Sequence, residues 1–257
     1  VFPDVDSSCT AVSSVIGRGI VPAAMEIIDA VSIRAILNVT KGVFPDDAGA
    51  VLLVEVEGLS EEVEELGREV EATMYDTGAT EVRIALEPQE RERLWAARKG
   101  AFGALGTLAP NYYLVDTVVP RTRLTETLGR VDEIAQKYDL LVANVFHAGD
   151  GNLHPCMAFD EREPGALQRV IRAGEEMVEV CVEMGGTLTG EHGVGLEKKA
   201  YMPLVFTKED MATMMRVRDA FSPSGLFNPG KIFPGGPEYD QAMQHNAIAS
   251  AGPGVYI

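Results

Sequence analysis

Three of the chain's four histidines fall in two short segments. The first is Asn144-Val-Phe-His147-Ala-Gly-Asp-Gly-Asn-Leu-His154. Its AGDGN centre is a run of turn formers between apolar arms, so the segment reads as a β-hairpin. Symmetry about Asp150–Gly151 sets His147 directly opposite His154, on one face, with Cβ atoms about 4.5–5.5 Å apart. Two imidazoles at that separation can grip one metal ion. The plainer alternative, hairpin-end histidines bonded to backbone or water, stays open. The second segment is Gly185-Gly-Thr-Leu-Thr-Gly190-Glu191-His192-Gly193-Val-Gly195. Glycine lets a backbone approach a ligand closely. Two histidines and a carboxylate are a frequent set for a divalent ion that keeps an open coordination position. His147, His154 and Glu191 are thus the candidate ligands, with zinc as the expected ion. His192 is left for acid–base work near neutral pH. Here too a bland alternative stays open: a glycine-rich connector whose Glu-His pair is solvated.

Other residues carry weaker signals. Asp150 and Asn152 read first as turn formers. Cys156, two residues past His154 and on the same face, reads as a small buried thiol before it reads as a ligand. Arg98 ends a helix before the glycine-rich stretch Gly100–Gly106, where its planar fork could clamp a carboxylate. A surface ion pair is the competing reading. There is no complete G-x-G-x-x-G. Gly225-Leu-Phe-Asn-Pro-Gly230-Lys231 imitates a phosphate loop, but Ile232 replaces the metal-binding hydroxyl and Pro229 lacks an N–H.

These residues need a scaffold. Strands are expected at Ala50–Glu57, Thr80–Leu86, Tyr112–Val119, Leu140–Phe146 and Leu153–Phe159. Between them lie helical patterns. One is capped by Ser60, with Val63, Leu66, Val70 and Met74 inward. One runs from Pro88 to Arg98 and one carries Leu124, Leu128, Val131 and Ile134. A long one spans Pro164–Met184, and a short Met-rich one spans Asp210–Phe221. The order predicts an α+β sandwich, with helices on one face of a largely antiparallel sheet. Residues 1–200 form the main domain, 201–236 a small C-terminal helical subdomain, and 237–257 a loose tail.

With 22 Lys and Arg against 39 Asp and Glu, the chain carries a net charge of −17. Such a surface repels nucleic acid and anionic membranes. Ala50–Val54 and Leu140–Ala143, the longest apolar runs, are far shorter than the ~20 residues of a membrane-spanning helix. Three cysteines make a disulfide framework improbable and fit a reducing, cytoplasmic setting.

Taken together, NVFHAGDGNLHP, GGTLTGEHGVGLEKK and FSPSGLFNPGKIFP resemble, in order and spacing, the C-terminal domain of FAD-linked oxidases of the vanillyl-alcohol-oxidase type. The resemblance covers roughly residues 20–234. LWAARKGAFGAL and NYYLVDTVVPR look most like the glycolate oxidase GlcD and D-lactate dehydrogenase branch. It implies a ferredoxin-like α+β cap over a flavin held mainly by a separate N-terminal domain. Nothing in the chain matches that domain, so the chain is expected to be the substrate domain of a longer enzyme, inactive by itself.

Residue by residue, the resemblance makes His147, His154 and Glu191 the metal ligands and His192 the active-site base. It makes Arg98 the holder of the substrate carboxylate and places Asn228 in the segment that approaches FAD. Leu114 and Cys156 stand where 2-hydroxyglutarate enzymes carry a Lys and an Asn for a distal carboxylate. A small D-2-hydroxy acid, glycolate or D-lactate, is the expected substrate. Implied partners are subunits of a glycolate-oxidase-type complex, with a homo-oligomer left open. Two other functions remain as alternatives: a zinc-dependent hydrolase using His147, His154 and Glu191, and a non-catalytic interaction module.

Overall fold

The computed structural model describes residues 1–234; the tail expected at 237–257 and the last two residues of the 201–236 segment lie outside them. The first half runs α1 (Val5–Gly17), β1 (Ala24–Asp29), α2 (Ala30–Val39), β2 (Ala50–Glu55), α3 (Ser60–Asp76), α4 (Pro88–Lys99) and α5 (Ala101–Leu105). Then come β3 (Asn111–Leu114), β4 (Thr117–Val118), α6 (Leu124–Lys137), β5 (Leu141–His147), β6 (Asn152–Leu153), β7 (Pro155–Phe159), α7 (Ala166–Glu183), α8 (Met202–Val205) and α9 (Lys208–Phe221). Asp4 and Asp29 cap α1 and α2, accepting from the N–H groups of Ser7 and Ser32 at 2.7 Å each.

Every strand pair is antiparallel. The sheet runs β2-β1-β5, and then β6 and β7 together, with β4 beside β6 and β3 beside β7. The α+β class and antiparallel sheet agree with the sequence pattern, but helices cover both faces. Strands β1 and β5 are apolar at successive positions, so each buries two faces. Ile27, Phe146 and Leu153 face Val12 and Val15 of α1, Met74 of α3 and Leu124 of α6. Farther along that side, Val142 and Met157 face Val170 and Met177 of α7. On the opposite side, Ile28, Ala143 and Val145 meet Ile33 and Ile36 of α2, Ala97 of α4 and Leu105 of α5. Met202, with Met211 and Met214 behind it, ties the C-terminal helices to the α7 side.

Three local expectations fail for identifiable reasons. Residues 80–86 form no strand: Thr80 and Glu81 bond the backbone of Val1, and among the described residues no neighbouring strand completes a ladder. Ser60 is the first residue of α3 rather than its cap; Leu59 holds that position, and its N–H donates to Glu62 at 3.3 Å. The run Tyr112–Val119 is split at Val115–Asp116 into β3 and β4.

Candidate active site

The site grows from the sheet face that α2, α4 and α5 cover. Glu26 of β1 pairs with His147 of β5, and His147 with Asn152 of β6. The hairpin register is therefore two residues tighter than symmetry about Asp150–Gly151 predicts. Its turn is closed by N–H groups of Asp150 and Gly151 donating to the carbonyls of His147 and Ala148. A shift of two preserves the side-chain alternation. His147 and His154 thus still share a face, as diagonal rather than opposed neighbours, with ring centroids 5.3 Å apart. On the next strand, Leu114↔Cys156 and Thr117↔Leu153 are partners, so the same register sets Asp116 opposite His154.

Glu191 and His192 arrive on the loop after α7. Thr187 and Val118 exchange backbone hydrogen bonds, which anchors that loop to β4. Asp116, wholly buried, then organises its tip. Its carboxylate accepts from the hydroxyl of Thr189, the N–H groups of Gly190, Glu191 and His192, and Lys198 Nζ. Burial alone would raise its pKa; the contacts from His154, Thr189 and Lys198 outweigh that and hold it well below the usual carboxylate range. At Gly190 an added Cβ would stand 2.4 Å from the Asn152 amide, so only glycine fits there.

Glu191 Oε1 is the focus of the cluster. It lies 3.5 Å from His147 Nε2, 3.4 Å from His154 Nε2 and 3.4 Å from His192 Nε2. Tetrahedral bonds of the length zinc makes to nitrogen and oxygen put donor atoms roughly 3.3–3.6 Å apart. His154 is 1% exposed, and its Nε2 lies 3.5 Å from Asp116 Oδ1, yet among the described residues neither ring nitrogen has a well-formed hydrogen bond. A buried imidazole left that way is costly unless another group takes its lone pair. Two donor sets fit one ion: His147, His154 and Glu191, or Asp116, His154 and His192. The first is favoured, because the Asp116 carboxylate is already filled by five donors.

His192 stacks on His154 at 5.2 Å, on the solvent side. A cavity of about 330 Å³ opens on His147 and Glu191, with Val118, Asp150, Asn152 and Gly190 as its other walls. Arg98 is not on the surface. It is 6% exposed, and its Nε donates to Glu26 Oε2 at 2.9 Å. Its Nη2 lies 2.8 Å from the same oxygen but, among the described residues, forms no well-aligned hydrogen bond. Glu26 Oε1 is 2.7 Å from His147 Nδ1, a contact that raises the His147 pKa.

Cys156 is buried among Ile28, Ala143 and Val145, and that burial pushes its thiol up. Asn228 does not line the cavity at His147 and Glu191. It lines a separate cavity of about 490 Å³ with Gly193, Gly195 and Lys231, and has a left-handed backbone at φ 46°. Sequence reading missed Glu26 and Asp116. The available signal was an acidic residue inside an apolar strand, which must be paired when buried.

Solved oxidative enzymes share this fold. The p-cresol methylhydroxylase with substrate bound matches at TM-score 0.65 and 13% identity, over 90% of this chain and 51% of that one. The 4-ethylphenol oxidase from Gulosibacter chungangensis matches at TM-score 0.61 and 14% identity, over 90% and 52%. At the sequence level, the profile of the "FAD linked oxidases, C-terminal domain" matches residues 1–232, and the chain belongs to that family. It is 43% identical over 233 residues to the glycolate oxidase subunit GlcD of Escherichia coli (strain K12), covering 91% of this chain and 47% of the relative. It is 32% identical over 235 residues to the mitochondrial D-lactate dehydrogenase [cytochrome] of Arabidopsis thaliana, covering 91% and 41%. The chain thus spans about half the length of these relatives or less. No helix among the described residues is long and apolar enough to cross a membrane.

Proposed function

We propose that this chain is the metal-bearing substrate domain of an FAD-dependent oxidoreductase that converts a small D-2-hydroxy acid, glycolate or D-lactate, to the 2-oxo acid. The names of the GlcD and D-lactate dehydrogenase relatives support the substrate class. The observation that carries the reading is the convergence of His147, His154 and His192 on one Glu191 oxygen. Residues 1–200 would form the cap and the segment from 201, described as far as 234, a helical subdomain, and the enzyme would work in the cytoplasm with partner subunits of a glycolate-oxidase-type complex. By itself the chain is inactive.

In this reading His147, His154 and Glu191 hold a divalent ion, zinc by preference. The ion supplies Lewis-acid polarisation of the substrate hydroxyl, and FAD supplies the hydride acceptor. Arg98 would hold the substrate carboxylate with its planar guanidinium. His192, not needed as a ligand, takes the hydroxyl proton at its imidazole. Asn228 would belong to the segment that approaches the flavin. Leu114 and Cys156 offer no charge for a second carboxylate, which favours the short acids.

The test is His192→Ala in the flavin-loaded enzyme. Turnover should fall about 10²–10⁴-fold, the usual worth of a general base. Metal content, read by elemental analysis, should not change. Loss of the metal would make His192 a ligand and overturn its assignment as base.

A further inference from the structure

We propose that Glu26 is a positioning residue that fixes the tautomer of His147, aiming the Nε2 lone pair at the ion held with His154 and Glu191. The inference rests on the metal-site reading above and extends it to a residue outside the ligand set.

An ionised carboxylate can only accept hydrogen bonds. With Glu26 Oε1 2.7 Å from His147 Nδ1, the hydrogen of the neutral ring sits on Nδ1. Nε2 is then unprotonated, and it is the nitrogen that faces Glu191. The pairing is built into the sheet, because Glu26 and His147 are direct partners on β1 and β5. A carboxylate this buried needs a counter-charge. Arg98 supplies it from α4, donating to the other oxygen, Oε2. One side chain thus joins the guanidinium offered to the substrate and an imidazole offered to the metal. Carboxylates behind metal-bound histidines act in this way in general.

Glu26→Gln separates this role from simple packing, because it keeps the shape and reverses one hydrogen bond. The Gln carbonyl must face Arg98, since an amide NH₂ there would meet another donor. The NH₂ then faces Nδ1 and drives the ring hydrogen to Nε2, where it blocks the metal.

The experiment uses the ¹⁵N-labelled 257-residue chain, stripped of metal, and reads the His147 tautomer by long-range ¹H–¹⁵N correlation. Zn²⁺ is then titrated by calorimetry. Wild type should show Nδ1–H and Glu26→Gln should show Nε2–H, with Zn²⁺ affinity weakened about ten- to a hundredfold. Nε2–H in wild type, or unchanged tautomer and affinity in the variant, would overturn the proposal. If the variant does not fold, the wild-type tautomer alone decides. A wild type that shows Nδ1–H, switches in the variant and takes no Zn²⁺ would keep the tautomer assignment but overturn the metal reading and, with it, the aiming of Nε2 at an ion.

Discussion

Lys198 Nζ lies 3.0 Å from Asp116 Oδ2, with both side chains buried, and the ammonium also donates to the Asp116 carbonyl. This pair underpins the loop that delivers Glu191 and His192. Asp116→Asn would leave the Lys198 charge uncompensated and turn an amide NH₂ toward backbone donors. Breaking a buried pair on one side typically costs about 3–5 kcal/mol. Urea unfolding should show a loss of that size, with metal content falling alongside. A variant within about 0.5 kcal/mol of wild type would mean the loop is held by other contacts.

Gly190 makes a second, purely steric prediction. A methyl group there would meet the Asn152 amide at 2.4 Å, and Asn152 is itself buried beside His147. Gly190→Ala should displace the loop, and Zn²⁺ affinity should drop at least tenfold in a calorimetric titration. The global unfolding midpoint should move little, because the main apolar clusters are untouched. Retained affinity would show that the loop has room to spare.

The cysteines give a pH prediction. Burial pushes Cys9 up to about 12 and Cys181 up to about 11 from an ordinary 9.0, and Cys156 higher still. Because the folded thiols titrate above the unfolded ones, the native state holds its protons longer. Stability is complete below about pH 9 and declines as pH rises through 11 and 12, by up to about 1.4 kcal/mol per pH unit per thiol. Denaturant titrations at pH 8 and 10.5 should show the decline. A thiol reagent at pH 8 should label no cysteine in the native state and all three after unfolding. Rapid native labelling would contradict the burial.

Much of this architecture was legible because burial patterns are local. The 144–154 hairpin and its shared face for two histidines follow from turn formers and alternation, and the amphipathic α7 from its period. What escaped depends on partners distant in sequence. Glu26 is meaningful only once β1 is paired with β5, and Asp116 only once the loop after α7 folds over it. Hairpin symmetry misplaces the register by two because the Asp150 and Gly151 N–H groups close the turn onto His147 and Ala148, pairing His147 with Asn152. Residues 80–86 have strand composition, but a strand also needs a neighbour. Covering of both sheet faces was signalled by adjacent apolar pairs such as Ile27–Ile28 in β1 and Val145–Phe146 in β5, which simple hydrophobic–polar alternation would not produce.

A single ion shared by His147, His154 and Glu191 is tested most directly by an anomalous difference map, recorded at the zinc edge, from crystals of the zinc-loaded chain. One peak should lie roughly 2.0–2.2 Å from His147 Nε2, His154 Nε2 and a Glu191 oxygen. A peak centred instead between Asp116, His154 and His192, or no peak at full zinc loading, would contradict it.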